Sequence, residues 1–141
     1  MRRGFSLPEM ALVLAVLSLT LGIALPQLGA LRNSLAVSRA AAEIAAAHRR
    51  ARILAILRSR PVVLSVSRDT LTIRPEGIST DVWGGSGPGA QGVSLPGPVR
   101  RITFSPVGLA MGLSNASFPL ARGGATRTVI VSRLGRIRIT Q

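Results

Sequence analysis

Between Phe5 and Leu25 the chain runs for 21 residues with one charged side chain, Glu9. At about 1.5 Å per residue, a helix of that length covers roughly 30 Å, the thickness of a bilayer's hydrocarbon core. The segment is long enough to span a membrane, and any fold of the chain must find it an apolar surrounding. An ionised carboxylate at the bilayer centre costs on the order of 3 kcal/mol. Glu9 sits near one end of the run, so the cost points to a cationic partner close by. Two blander readings stand beside a specialised one. A secretory signal peptide would use Arg2 and Arg3 as its basic start and Leu28-Gly29-Ala30 as its cleavage site, but this run exceeds the roughly 7 to 15 apolar residues usual there. A plain anchor accounts for the length and leaves Glu9 unexplained.

Gly4-Phe5-Ser6-Leu7-Pro8-Glu9 behind a short basic leader resembles the type III signal of type IV pilins and of type II secretion pseudopilins. The resemblance implies that a prepilin peptidase removes leader 1–4 by cutting between Gly4 and Phe5, that the new Phe5 amine is methylated, and that Glu9 pairs with the Phe5 amine of a neighbouring subunit. Pro8 lies early in the helix, where no backbone donor is needed.

Past Leu25 the helical period persists. Leu28, Leu31, Leu35, Ala42, Ala45, Ala46, Ile53, Ile56 and Leu57 recur at three and four residues, with Arg32, Arg39, Glu43, Arg49, Arg50 and Arg52 between them. This pattern predicts an amphipathic continuation whose Leu and Ile side lies against a domain. Pro26 and Gly22 are expected to kink or locally melt the middle, and Pro61 to end the helix.

From Pro61 the period drops to two. Val62–Ser67 and Thr70–Arg74 flank Arg68-Asp69 and read as a hairpin with Leu64, Val66, Leu71 and Ile73 on its greasy side. Residues 75–99, rich in Gly and Pro, read as a long loop or partly ordered excursion. Further strands are expected at Arg100–Phe104, near Ala116–Leu120, at Thr128–Ser132 and at Arg136–Ile139, with a tight turn at Arg133-Leu134-Gly135. Ile102-Thr103-Phe104-Ser105-Pro106-Val107-Gly108, a Val-rich strand and Gly135-Arg136 resemble the C-terminal half of the FimT/GspH family of minor pilins and pseudopilins. The fold class is α+β and pilin-like. A long N-terminal helix over 5–60, transmembrane over 5–25, packs on a small antiparallel sheet domain over 61–141. The resemblance implies a single-pass protein of the bacterial cytoplasmic (inner) membrane. Its C-terminal domain would be periplasmic or extracytoplasmic, and it would be assembled with other pilins or pseudopilins.

The net charge is +13, all 18 basic residues are Arg, and loss of Arg2 and Arg3 with the leader lowers the side-chain balance to +11. Such an excess favours polyanions. Gly135-Arg136-Ile137-Arg138 resembles the Gly-Arg-x-Arg ending of FimT-type minor pilins that bind DNA during natural transformation. On a strand, Arg136 and Arg138 would share one face about 7 Å apart while Ile137 and Ile139 face the core. Arg133 and Arg127 are candidates to widen the patch. Secretion pseudopilins of the same family also end in Gly-Arg, which keeps a merely solvated strand face as the alternative. Phe104 and Phe118 are expected in the core, and Trp83 in a loop where it would stack on a base or touch a partner.

An enzyme has little to work with. There are no cysteines and one histidine, so neither a disulfide nor a thiolate nucleophile exists, and metal ligation lacks its usual donors. His48 reads as a solvated helix residue. Gly87-Pro88-Gly89-Ala90-Gln91-Gly92 spells G-x-G-x-x-G without the strand and helix that would give it meaning. The chain reads as an assembling subunit without catalytic activity, cofactor, metal or small-molecule substrate. Its partners would be other pilins or pseudopilins, the prepilin peptidase, the inner membrane and, in the alternative reading, DNA.

Overall fold

A computed structural model describes residues 6–112, 116–132 and 134–141. The chain divides into two units at Arg32 and Asn33. One helix, α1, covers Leu7–Leu57 and is helical throughout, Pro26 included. The break expected near Gly22 and Pro26 is absent. After Leu57, the Ser59 N–H reaches the Ile56 carbonyl (3.2 Å) and the Arg60 N–H the Ala55 carbonyl (3.3 Å). Ser59 takes the left-handed conformation, φ 48°. This pairing satisfies carbonyls that a helix end orphans, and Pro61 follows where no further helical turn is possible.

The second unit carries two antiparallel sheets. The first contains β1 (Val62–Val66), β2 (Thr70–Pro75), β3 (Trp83–Ser86), β4 (Arg100–Phe104) and β5 (Ala110–Met111), in the order β3-β2-β1-β4-β5. The second contains β6 (Ala116–Arg122), β7 (Ala125–Val131) and β8 (Ile137–Thr140), in that order. The β1–β2 hairpin has the expected register: Leu64 opposes Ile73, Val66 opposes Leu71, and Ile102 of β4 extends the Leu64 row. These side chains are buried, as are Phe104 and Phe118.

Segment 75–99 is more ordered than its composition suggested. It holds the edge strand β3 and a 3-10 turn over Pro88–Gln91. Gln91 donates to Glu43 on α1 (2.7 Å), Arg122 donates to the Gln91 carbonyl, and Val93 is buried. The segment is held by side chains distant in sequence, which no local pattern reports.

The helix face that packs on the sheets also differs from expectation. Ala36, Val37, Ala40, Ala41, Ile44, Ala45, Ala47, His48, Ala51 and Ala55 are buried, whereas Leu35, Ala42, Ala46, Ile53, Ile56 and Leu57 are exposed. The sheets supply the bulk, with Leu64, Leu71, Ile73, Phe104, Phe118 and Leu120 filling the core. Apart from Val37, Ile44 and His48, the helix meets that surface with alanine, which allows close approach. The greasier face is the one left outside.

Candidate functional site: an apolar helix and an arginine-bearing strand

The N-terminal unit is described by α1 from Leu7 to Arg32, and it has no buried side chain. Between Leu7 and Leu31 its only charged group is Glu9, exposed in the first turn. Ser18 Oγ donates to the Leu14 carbonyl (2.8 Å) and Thr20 Oγ1 to the Leu17 carbonyl (2.9 Å). Both hydroxyls are thus satisfied within the helix, and nothing polar but Glu9 and Gln27 remains to oppose an apolar surrounding. Among the described residues Glu9 has no ion-pair partner, the one pair being Arg74–Asp81 at 2.8 Å. Gly4 and Phe5 lie outside the described residues.

Arg136 and Arg138 flank and occupy the start of β8, and both are exposed. Arg138 opposes Ile130 and Ile130 opposes Ser117, so these share the outer face of the second sheet. Arg127 does not join them. It opposes Leu120 and has the parity of buried Val129, which puts it on the inner face beside Ser34 and Val37 in a hollow of about 240 Å³. Arg133 lies outside the described residues. Ile137 packs against the core as expected, but Ile139 is 40% exposed because β8 is an edge strand and nothing continues the sheet over it.

Four of the arginines have partners within the fold. Arg100 donates to the Ser117 carbonyl and lies over the Phe118 ring, 5.6 Å from its centroid, tying the two sheets together. Arg74 pairs with Asp81, and Arg122 holds Gln91. Arg50 lies 4.8 Å from the Trp83 centroid. Trp83 is therefore no free loop residue: it sits in β3, half-buried, with a guanidinium against its ring.

His48 overturns its sequence reading outright. It is 1% exposed, and its ring meets Phe104 edge-on with centroids 4.9 Å apart. Neither ring nitrogen has a hydrogen-bond partner. Burial first, then the charges of Arg52 and Arg49, lower its pKa from 6.5 to about 4. Only its spacing from Ile44, Ala51 and Ala55 on the alanine face could have announced this.

Comparison with known proteins places these features. Residues 40–135 match the sequence profile of the family described as type II transport protein GspH. The pilin-like protein PilA1 of Thermus thermophilus is 32% identical over 155 aligned positions, covering 98% of each chain. The crystal structure of the type IV minor pilin FimU of Pseudomonas aeruginosa superposes with a TM-score of 0.63 at 21% identity, over 74% of this chain and 88% of that one. A second crystal form of FimU gives 0.58 at 20% identity. FimU thus shares the fold, and the profile and the Thermus protein carry the kinship.

Proposed function

We propose that this chain, which belongs to the GspH family of minor pilins and pseudopilins, is cut between Gly4 and Phe5 by a prepilin peptidase and methylated at the Phe5 amine. It waits in the cytoplasmic membrane by its 5–25 segment, with the β domain outside the cytoplasm, and is then drawn into a type II secretion pseudopilus or a type IV pilus. There its helix exchanges lipid for neighbouring helices, and Glu9 meets the Phe5 amine of the next subunit. One observation carries the reading. Large apolar side chains of α1 are uncovered both before Arg32 and after it, at Leu35, Ile53, Ile56 and Leu57, while Val37, Ile44 and the alanine face already serve the core of the second unit. An apolar surface of that extent needs a partner.

Mass spectrometry of the cellular protein tests the first step: a new amino terminus at Phe5 is expected, and an intact leader or a terminus near Ala30 would overturn the reading. For the second step, Glu9→Ala should insert into membranes like the wild type and be depleted from isolated filaments. Equal incorporation would remove Glu9 from the mechanism.

A second reading, a DNA-receptor pilin, is favoured by Arg136 and Arg138, both exposed and of one strand parity, whereas Arg50, Arg74, Arg100 and Arg122 have partners within the chain. Backbone contact suits this arrangement, because guanidinium groups pair with phosphates and the Trp83 ring is already covered by Arg50.

A further inference from the structure

Two turns of the second unit share one construction. In Ser105-Pro106-Val107-Gly108-Leu109, the Ser105 N–H donates to the Leu109 carbonyl (2.8 Å), the Gly108 N–H to the Ser105 carbonyl (2.8 Å) and the Leu109 N–H to Ser105 Oγ (3.2 Å). Between Ser132 and Arg136 the same three bonds recur. The Ser132 N–H donates to the Arg136 carbonyl (2.9 Å), the Gly135 N–H to the Ser132 carbonyl (3.0 Å) and the Arg136 N–H to Ser132 Oγ (3.3 Å). Gly108 and Gly135 both take positive φ, 78° and 68°. Each turn is closed by a left-handed glycine.

The twin turns also meet. A methyl group on Gly135 would stand 3.1 Å from the Gly108 carbonyl oxygen, and one on Gly108 would stand 2.9 Å from Ile56 Cδ1 and 3.1 Å from Arg52 Nε. The residue before each glycine is thereby held outward. Val107 is 73% exposed and Leu134 60%, beside Ile56 at 47%. Single exposed aliphatics are ordinary, but three brought together from distant segments by locked turns form a patch. No Asp or Glu lies within four residues of any of the three, whereas Arg52, Arg58, Arg60, Arg136 and Arg138 do.

We propose that this patch docks the globular domain of a different subunit, one that offers an apolar centre rimmed by Asp or Glu. Aliphatic anchors with Arg52 against both turns and further arginines close by in the chain have the composition of a protein interface. Each turn is closed by its own hydrogen bonds without a partner, which lowers the ordering cost of association. A second copy is a poor occupant: the same arginines would face themselves in a processed chain whose side-chain balance is +11. An anionic bilayer is the competing occupant for such a composition, and lipid adducts in the test below would report it. The proposal rests on the assembly reading above and adds the chemistry of one neighbour.

The test uses the full chain in its host membranes, with benzoylphenylalanine in place of Val107 or Leu134 and, as control, in place of Ile78. After irradiation, both patch positions should give an adduct with the same protein, mapping to a peptide with Asp or Glu beside an apolar residue, and the control should not. Arg136→Glu should reduce the yield at Val107 by about tenfold, and an Asp→Arg or Glu→Arg change in the mapped peptide should restore it. Adducts with lipid, with nucleic acid, with many proteins or with a peptide lacking acids would overturn the proposal, as would an equal yield from Ile78. If filaments contain the wild-type chain and lose Glu9→Ala, yet neither patch position cross-links to protein, this proposal alone fails. If no assembled fibre contains the chain, both readings fall.

Discussion

Replacing His48 by leucine removes the only buried ionisable side chain among the described residues, and its surroundings fix the consequence. With the pKa lowered from 6.5 to about 4, the folded ring stays neutral where the unfolded chain binds a proton. Stability therefore rises with pH across that window. The contribution is whole above pH 6.5 and is lost as acid is added, by up to about 1.4 kcal/mol per pH unit and about 3 kcal/mol by pH 4. The unit Asn33–Gln141 contains every core residue and suffices for the measurement. Urea unfolding followed by circular dichroism should show a loss of about 2 kcal/mol between about pH 7.5 and 5. Carboxylates ordinarily titrate below this window, which isolates the imidazole. His48→Leu should be flat to within about 0.5 kcal/mol over the same range, and no less stable at the upper end, since leucine leaves no buried ring N–H unpaired. If wild type and variant lose stability in parallel, or neither loses any, the buried neutral imidazole is wrong.

Two further outcomes follow from the second sheet. For the DNA reading, a mobility-shift titration with duplex at several salt concentrations should give Arg136→Gln/Arg138→Gln a salt slope lower by about 2, with Arg127→Gln, on the opposite face, unchanged. Identical slopes for all three proteins would leave the arginines as a solvated strand face. Gly135→Ala should cost about 2 kcal/mol or more in urea unfolding, combining left-handed backbone strain with the approach to the Gly108 carbonyl. Gly124→Ala, whose methyl meets nothing within 4 Å, should be close to neutral, and equal losses at the two positions would refute the contact between the turns.

The architecture was legible where pattern and packing agree. Alternation in Val62–Val66 and Thr70–Pro75 gave the hairpin and its register, because one face is buried and a slip of one residue would turn it out. The strand bearing Arg138 and the exposure of Arg136 were legible for the same reason. Ile139 was misplaced because alternation reports which face a residue shares, whereas burial at an edge depends on whether a further strand follows. Trp83 and segment 75–99 were hidden by contacts reaching back to α1, with Arg50 against the ring and Glu43 holding Gln91. His48 was hidden by its type: a histidine between arginines reads as solvated until the helix face is known, and the helix face was the error beneath it.

That error has a physical origin with a testable consequence. Hydropathy ranks Leu35, Ile53, Ile56 and Leu57 above the alanines and so assigns them to the core, but α1 is apolar on two sides and the sheets can accept only the smaller one. Burial of an exposed Leu or Ile side chain supplies roughly 1.5 to 3 kcal/mol. The outward row therefore holds several kcal/mol that the isolated domain cannot use and an assembled neighbour can. Stability and assembly should then respond to different substitutions on the same helix. Ile53→Ser, on the outward side, should leave the urea midpoint of Asn33–Gln141 unchanged and deplete the full chain from filaments. Ala51→Leu, on the packed side, should lower stability by about 1 to 3 kcal/mol through overpacking against the sheets. If Ile53→Ser destabilises the domain as much as Ala51→Leu does, the outward row belongs to the fold after all, and the division of labour between the two faces is refuted.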